Sequence, residues 1–352
     1  MILYIDSYNI YFYNICNNNL YFRRRKRNIL EKKRSFSIDR CFVCDELLTA
    51  ENATEEHIYP KWLQRKFNLF NQQISLINGT FINYRNLKVP CCKQCNEIMS
   101  AKIEKPMRQA VEGGYECFKN LNKNIIFQWL NKLSYGMLYK EAMLLKERGN
   151  EDGGYIVSHE ILNELHMKYI FLISIVQNTE YIKKPYSLLT FKIQPDCKNS
   201  YWGYDAFNFP VFCMHLNDIG IIAHLQDNGF NGEFFKENEN MNELLQHELH
   251  IMQFREICAR FVYKSSLFMR NPAYIMVMNN ENELPSQIIS QEMSGFGYAP
   301  WNQEVYAQVL EFFWKDFGVS YQDIYKGDNK VWTLLWKEDG SFIKIKERKE
   351  KD

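Results

Sequence analysis

The sequence contains no uninterrupted apolar run of about 18 residues, so no membrane-spanning helix is expected. No small-residue cleavage site follows an apolar region near the start, which argues against a secretory signal. Charge of one sign is also missing from the chain as a whole: 43 basic residues against 42 acidic ones leave a net charge of +1. A disulfide framework is not evident either. Of ten cysteines, Cys16, Cys91, Cys117, Cys197, Cys213 and Cys258 show no framework spacing, which points to a reducing cytoplasm. His247-Glu248-Leu249-His250 lacks the His-Glu-x-x-His spacing of a zinc-protease helix. No repeat period occurs, which excludes a solenoid.

What is present is local. The segment from Arg23 to Arg34 holds eight basic side chains and a single acid. Such an arm attracts a phosphate backbone without reading sequence, or is simply a solvated charge run. With 46% hydrophobic and 15% aromatic residues over 352 positions, the chain has material for a core and for two domains. Cys41 and Cys44 form one C-x-x-C pair, Cys92 and Cys95 a second. A tight turn lets both thiolates of a pair approach one ion from the same side, so these four suit a tetrahedral structural Zn²⁺. Cys91 is a spare thiol beside Cys92, and Cys92 is preferred because it restores the two-residue spacing.

Between the pairs lies Glu56-His57-Ile58-Tyr59-Pro60, and Asn96 follows the last cysteine. An imidazole with an unperturbed pKa of ~6.5 is able to accept a proton from water near neutrality. Carboxylate and amide oxygens suit a hard ion such as Mg²⁺. Glu56 and His57 are adjacent, so a regular strand would send them to opposite faces. A bulge or turn is therefore expected to re-aim one of them.

In order, these elements resemble the HNH, or ββα-metal, endonuclease family, in the subgroup whose catalytic hairpin is braced by a four-cysteine zinc site. The resemblance covers Cys41 to Glu104 and nothing beyond. It implies hydrolysis of DNA phosphodiester bonds to 5′-phosphate and 3′-hydroxyl ends, with His57 as general base. Glu56 and Asn96 would hold one catalytic Mg²⁺ or Mn²⁺, and Asn86 would be the middle asparagine that holds the loop of the base, Asn83 being the alternative. Lys61, Arg65 and Lys102 would touch phosphates. Glu56 departs from the commoner Asp or His at its position, Asn96 stands where the family name has its last histidine, and the gap between the cysteine pairs is longer than in a simple zinc ribbon. RNA is not distinguished from DNA as substrate. A zinc-braced binding module without hydrolysis explains the cysteines equally.

The fold class expected is α+β. Residues 1–38 form a basic leader, 39–112 a zinc-braced ββα-metal module, and 113–352 a larger mixed domain rich in long helices. The first strand leads into His57, Asn78-Gly79 turns the chain, and Phe81 to Val89 returns as the second strand. A helix runs from Asn96 through Glu104, with Pro106 as its kink or end. Beyond Gly113-Gly114, helices are expected over 124–148, 159–177, 242–268 and 304–317. Strands are expected over 186–193, 209–216, 220–225 and 273–278, with a closing hairpin of 331–335 and 341–345. The larger domain would choose a target, hold a homo-oligomer together or sense a signal. A nuclease module beside such a partner is similar to bacterial defence effectors acting on foreign DNA.

Overall fold

Two short strands, β1 (Ile2–Ile5) and β2 (Ile10–Tyr13), pair antiparallel at the start of the chain. Otherwise the computed structural model describes residues 36–147, 149–150, 152–194, 199–206, 209–269, 272–278, 284–291 and 297–345. The basic arm from Arg23 to Arg34 lies outside the described residues.

The cysteine-bearing region opens with β3 (Ala53–His57), and Pro60 then caps the short helix α1 (Lys61–Lys66). Pro fits there because a first helical turn leaves its N–H groups unbonded in any case. A hairpin of β4 (Gln73–Ser75) and β5 (Phe81–Asn83) turns at Asn78-Gly79, where Gly79 adopts φ +78°. The second strand expected over Phe81 to Val89 is divided. A 3₁₀ turn at Tyr84–Asn86 separates β5 from β6 (Lys88–Cys92), and only β6 pairs with β3. Helix α2 (Lys93–Met99) begins directly after it, three residues before the start expected at Asn96. A π-helical turn over Ser100–Glu104 then leads into α3 (Lys105–Glu112). Pro106 has no N–H for the preceding turn, so the wider turn occurs where the regular ladder cannot continue.

The remaining chain adds α4 (Gly114–Phe118), α5 (Lys123–Glu141), α6 (His159–Glu164), α7 (His166–Gln177) and β7 (Glu180–Ile182). Next come β8 (Ser187–Lys192), β9 (Tyr201–Asp205), β10 (Val211–Leu216), β11 (Ile219–His224), α8 (Phe230–Asn238), α9 (Met241–Leu244) and α10 (Ile251–Ser266). Strands β12 (Tyr274–Met278) and β13 (Pro285–Ser290) precede α11 (Gln303–Trp314). The fold is mixed α+β. One sheet has the order β8-β11-β10-β9 and is antiparallel throughout; another is β12-β13-β7, with β13 and β7 parallel.

Three long helices expected from the sequence are shorter or divided. After Glu141 the chain leaves the helix and returns, Ile156 N–H donating to Leu144 O at 2.9 Å, so pairing with 155–157 displaces a Leu-Lys-Glu run of good helical propensity. The segment 159–177 breaks at Leu165. The segment 242–268 breaks because His250 caps α10 in a capping box with Gln253, and Leu249 bridges to Ile193. The closing hairpin reduces to an isolated bridge, Trp336 to Phe342, while Val331 bridges to Tyr325.

The sheet β8-β11-β10-β9 is buried on both faces, and its alternation divides the core. Phe212, Met214 and Leu216 of β10 join one apolar cluster, while Val211 and Cys213 join the other. The first cluster contains Phe42, Ile58, Leu87 and Met99 of the cysteine-bearing region together with Trp129, Leu133 and Phe171 of α5 and α7. The second gathers α10 and α11 against the opposite face. Apolar packing is continuous across Gly113-Gly114, the expected domain boundary. The described core has two apolar clusters, one on each side of this sheet. Helix α5 carries the contact: Gly136 lies so close to Ile58 that a Cβ there would meet its side chain at 3.1 Å.

Candidate metal and catalytic site

The two cysteine pairs converge. Cys41, Cys44, Cys92 and Cys95 place their sulfurs within 4.8 Å of one another. Cys44 Sγ and Cys92 Sγ are 3.8 Å apart, and ~3.8 Å is the edge of a tetrahedron with metal–sulfur bonds of ~2.3 Å. The cluster thus suits a metal ion such as zinc. Local geometry explains the arrangement. Cys92 caps α2, its sulfur accepting from Cys95 N–H at 3.4 Å, so the second pair sits on a helix start that favours negative charge. Hydrogen bonds with Cys44, Cys91 and Cys95 hold Cys41 well below the usual thiol range, whereas Cys95 is pushed well above it. Four crowded thiols cannot all ionise alone, and a divalent cation would supply the missing counter-charge. Cys91 stands outside the group of four; it is buried, with its sulfur 4.0 Å from Cys41 Sγ and donating to Cys92 O at 3.4 Å.

The β3–β6 ladder runs from Ala53 opposite Cys92 to His57 opposite Lys88 without a break, so the bulge expected to re-aim Glu56 or His57 is absent. Thr54 and Glu56 share one face and Glu55 and His57 the other. Asn96 belongs to the first face: its Nδ2 donates to Thr54 Oγ1 at 3.1 Å. Its Oδ1 takes no hydrogen bond among the described residues.

Glu56 points inward, to a partner the sequence did not signal. The ammonium of Lys132, on α5 and fully buried, binds Glu56 Oε1 and Glu104 Oε1, the latter at 2.8 Å, and donates to His57 O and Ile58 O at 3.0 and 3.2 Å. Trp62 Nε1 donates to the other Glu104 oxygen at 3.0 Å. Burial pulls the Lys132 ammonium down, and the two carboxylates more than offset it, so it stays charged. Glu56 is pushed up by burial and drawn back by Lys132. Only one Glu56 oxygen is engaged, and the other takes no hydrogen bond among the described residues. That oxygen and Asn96 Oδ1 are hard donors without a hydrogen bond among the described residues.

His57 leaves from the opposite face at the strand's end, half-buried. Burial, then the Lys61 and Lys88 charges, lower its imidazole to about 4. Against an unfolded reference of ~6.5, the folded chain binds fewer protons here, so this contribution to stability is complete above ~6.5 and is lost as pH falls toward about 4. Replacing Lys61 and Lys88 with alanine is expected to raise the pKa of His57, read from its ring resonances in an NMR titration. An unchanged midpoint would reject the charge part of this account.

The remaining expected residues are dispersed. Asn86 is exposed in the 3₁₀ turn that precedes β6, next to Leu87, whose carbonyl accepts from Ile58 N–H at 2.9 Å. Asn83 instead accepts from Gln73 Nε2 at 3.2 Å. Lys61 and Arg65 are exposed on α1. Lys102 caps the end of α7, donating to Ile175 O at 2.8 Å and to Asn178 Oδ1 at 2.6 Å. Lys132 and Glu104 were missed; the only sequence signal was a lysine inside an otherwise apolar stretch of helix, which becomes meaningful once α5 is known to be buried. No helix among the described residues is long and apolar enough to cross a membrane. No family model, curated protein or solved structure matches this chain.

Proposed function

We propose that this chain is a metal-dependent endonuclease of the HNH type that hydrolyses DNA phosphodiester bonds in defence against foreign DNA. The observation that carries the reading is the order strand, strand, cysteine-capped helix, which brings Glu56 and Asn96 to one face with His57 adjacent at the strand end. In this reading a structural Zn²⁺ sits on the four cysteines, and Glu56 and Asn96 each give an oxygen to a Mg²⁺ or Mn²⁺ ion. That ion would neutralise charge on the phosphoryl group and on the departing 3′ oxygen. His57 is neutral near pH 7 and takes the proton of the attacking water. An imidazole at about 4 is a weak base; the negative charge of a docked phosphate opposes Lys61 and Lys88 and draws it back up. Lys132 holds the carbonyls of His57 and Ile58 and so fixes the backbone from which the base departs.

Nicking of supercoiled plasmid with Mg²⁺ or Mn²⁺ tests this. His57→Ala is expected to slow cutting by ~10²- to 10⁴-fold, the range for removing a general base. Equal cutting by both proteins would reject the assigned base. Parallel digestion of RNA identifies the substrate. A second reading, a zinc-braced nucleic-acid binding module without catalysis, is favoured by the Lys132 ammonium on Glu56 and by the opposite faces of Glu56 and His57. It predicts salt-sensitive DNA binding with no cleavage under any divalent ion.

A further inference from the structure

A cavity of about 310 Å³ lies between the β4–β5 hairpin, α5, α7 and the β9–β10 edge of the central sheet. Its size is at the lower end of small-ligand sites, which run from ~300 to ~1,000 Å³. The walls are largely aromatic: Tyr59, Tyr84 and Tyr201 line it in a chain of edge-on rings, Tyr59 to Tyr84 at 4.9 Å between centroids and Tyr84 to Tyr201 at 6.4 Å. Phe81 stands at the rim, 46% exposed. Flat apolar faces meeting at right angles favour a planar guest.

Three ionisable groups from three elements line the same space: Glu141 of α5, Lys168 of α7 and Asp205 of β9. Lys168 Nζ donates to Ser134 Oγ at 2.6 Å, and Ile77 N–H donates to Glu141 Oε1 at 3.0 Å. The Asp205 carboxylate takes no hydrogen bond among the described residues, and the residue is exposed on the open side of the cavity. Burial pushes the Glu141 carboxyl up to about 8 and lowers Lys168 to about 8. Glu141, which holds a proton near neutrality, presents a donor and the Asp205 carboxylate an acceptor, which matches a ring edge carrying an amino group next to a ring nitrogen. The Asp205 carboxylate disfavours a phosphate dianion, which would also have to be stripped of water.

We infer that this cavity is a binding site for a small uncharged heterocycle of the nucleobase class, stacked among the tyrosines and held by Asp205 and Glu141 through an amino and ring-nitrogen edge. The site is separate from the cysteine cluster and from the face of Glu56 and Asn96. Gly203 lines the cavity, and a Cβ there would come within 3.1 Å of Tyr201 Oη, so a larger side chain at this position enters the space.

Isothermal titration with adenine, cytosine, uracil, adenosine, cytidine, their 5′-monophosphates and inorganic phosphate tests the assignment. Adenine or cytosine, or its nucleoside, is expected to bind at least tenfold more tightly than uracil, which lacks the amino group. Asp205→Ala and Gly203→Leu are each expected to weaken binding at least tenfold while zinc content and melting temperature stay at wild-type values. The titrations are repeated in His57→Ala protein, where binding is expected to persist, so that failure of the nuclease reading is distinguishable from failure of this one. Absence of binding by every base and nucleoside at millimolar concentration would overturn the inference. So would undiminished binding in both cavity variants, or tighter binding of the monophosphates or of phosphate itself.

Discussion

Cys92→Ala protein is expected to lose the fold of the cysteine-bearing region, rather than to remain folded and inactive. Cys92 does two jobs at once: it is one of four sulfurs within 4.8 Å, and its sulfur accepts the Cys95 N–H that starts α2. Zinc binding to such sites is worth ~10–16 kcal/mol in isolated zinc-finger peptides, and it is folding free energy because the unfolded chain has no preformed site. A folded domain holds only ~5–15 kcal/mol in all, so the loss of one thiolate is comparable to the entire reserve. The consequence reaches beyond the knuckle, because Cys41, Phe42 and Cys92 belong to the apolar cluster that also contains Trp129 and Leu133 of α5. Metal analysis is expected to give one zinc per wild-type chain and none in the variant. Proteolysis is expected to cut the variant first between Phe36 and Glu104. Cys91→Ala is the control and should keep its zinc. Wild-type resistance to proteolysis in metal-free Cys92→Ala protein would show that the site does not brace the fold.

How far the sequence was informative depends on the range of each interaction. The cysteine pairs, the turn at Asn78-Gly79 and the β10–β11 hairpin with Asn217 at φ +55° are local signals, and the structure has all three. The faces of the central sheet were not legible. Val211 to Leu216 is apolar at almost every position, which fits burial on both sides but does not say what covers each. Helix ends failed where a distant residue competed for the chain, as Ile193 does for Leu249. The same limit applies at the candidate site. Glu56 and His57 stand out by their place between the cysteine pairs, but the partner of Glu56 is 76 positions away on a helix with no motif. Composition, which sets the expected boundary near Gly113, carries no sign of Gly136 packing on Ile58.

Lys132→Met should be among the most destabilising single substitutions in the chain, and its partners decide what Glu56 is for. The side chain of Lys132 is fully buried, and its ammonium is bound by Glu56, Glu104 and the carbonyls of His57 and Ile58. Removing it leaves two carboxylates and two carbonyls in apolar surroundings, and breaking one side of a buried ion pair typically costs ~3–5 kcal/mol. The triple change of Lys132→Met, Glu56→Gln and Glu104→Gln leaves no uncompensated charge and is expected to cost much less, as read by urea denaturation. Equal loss in the single and triple variants would mean that methionine packs badly and that charge is not the cause. Glu56→Gln alone then separates the two readings of the site. If Glu56 serves only to neutralise Lys132, the substitution lowers stability and any activity falls no further than the folded fraction does. If its free oxygen binds a divalent ion, folded Glu56→Gln protein loses cleavage and needs at least tenfold more Mn²⁺ to recover it. Because Glu104 keeps Lys132 paired in that variant, the fold survives well enough for the second outcome to be observed.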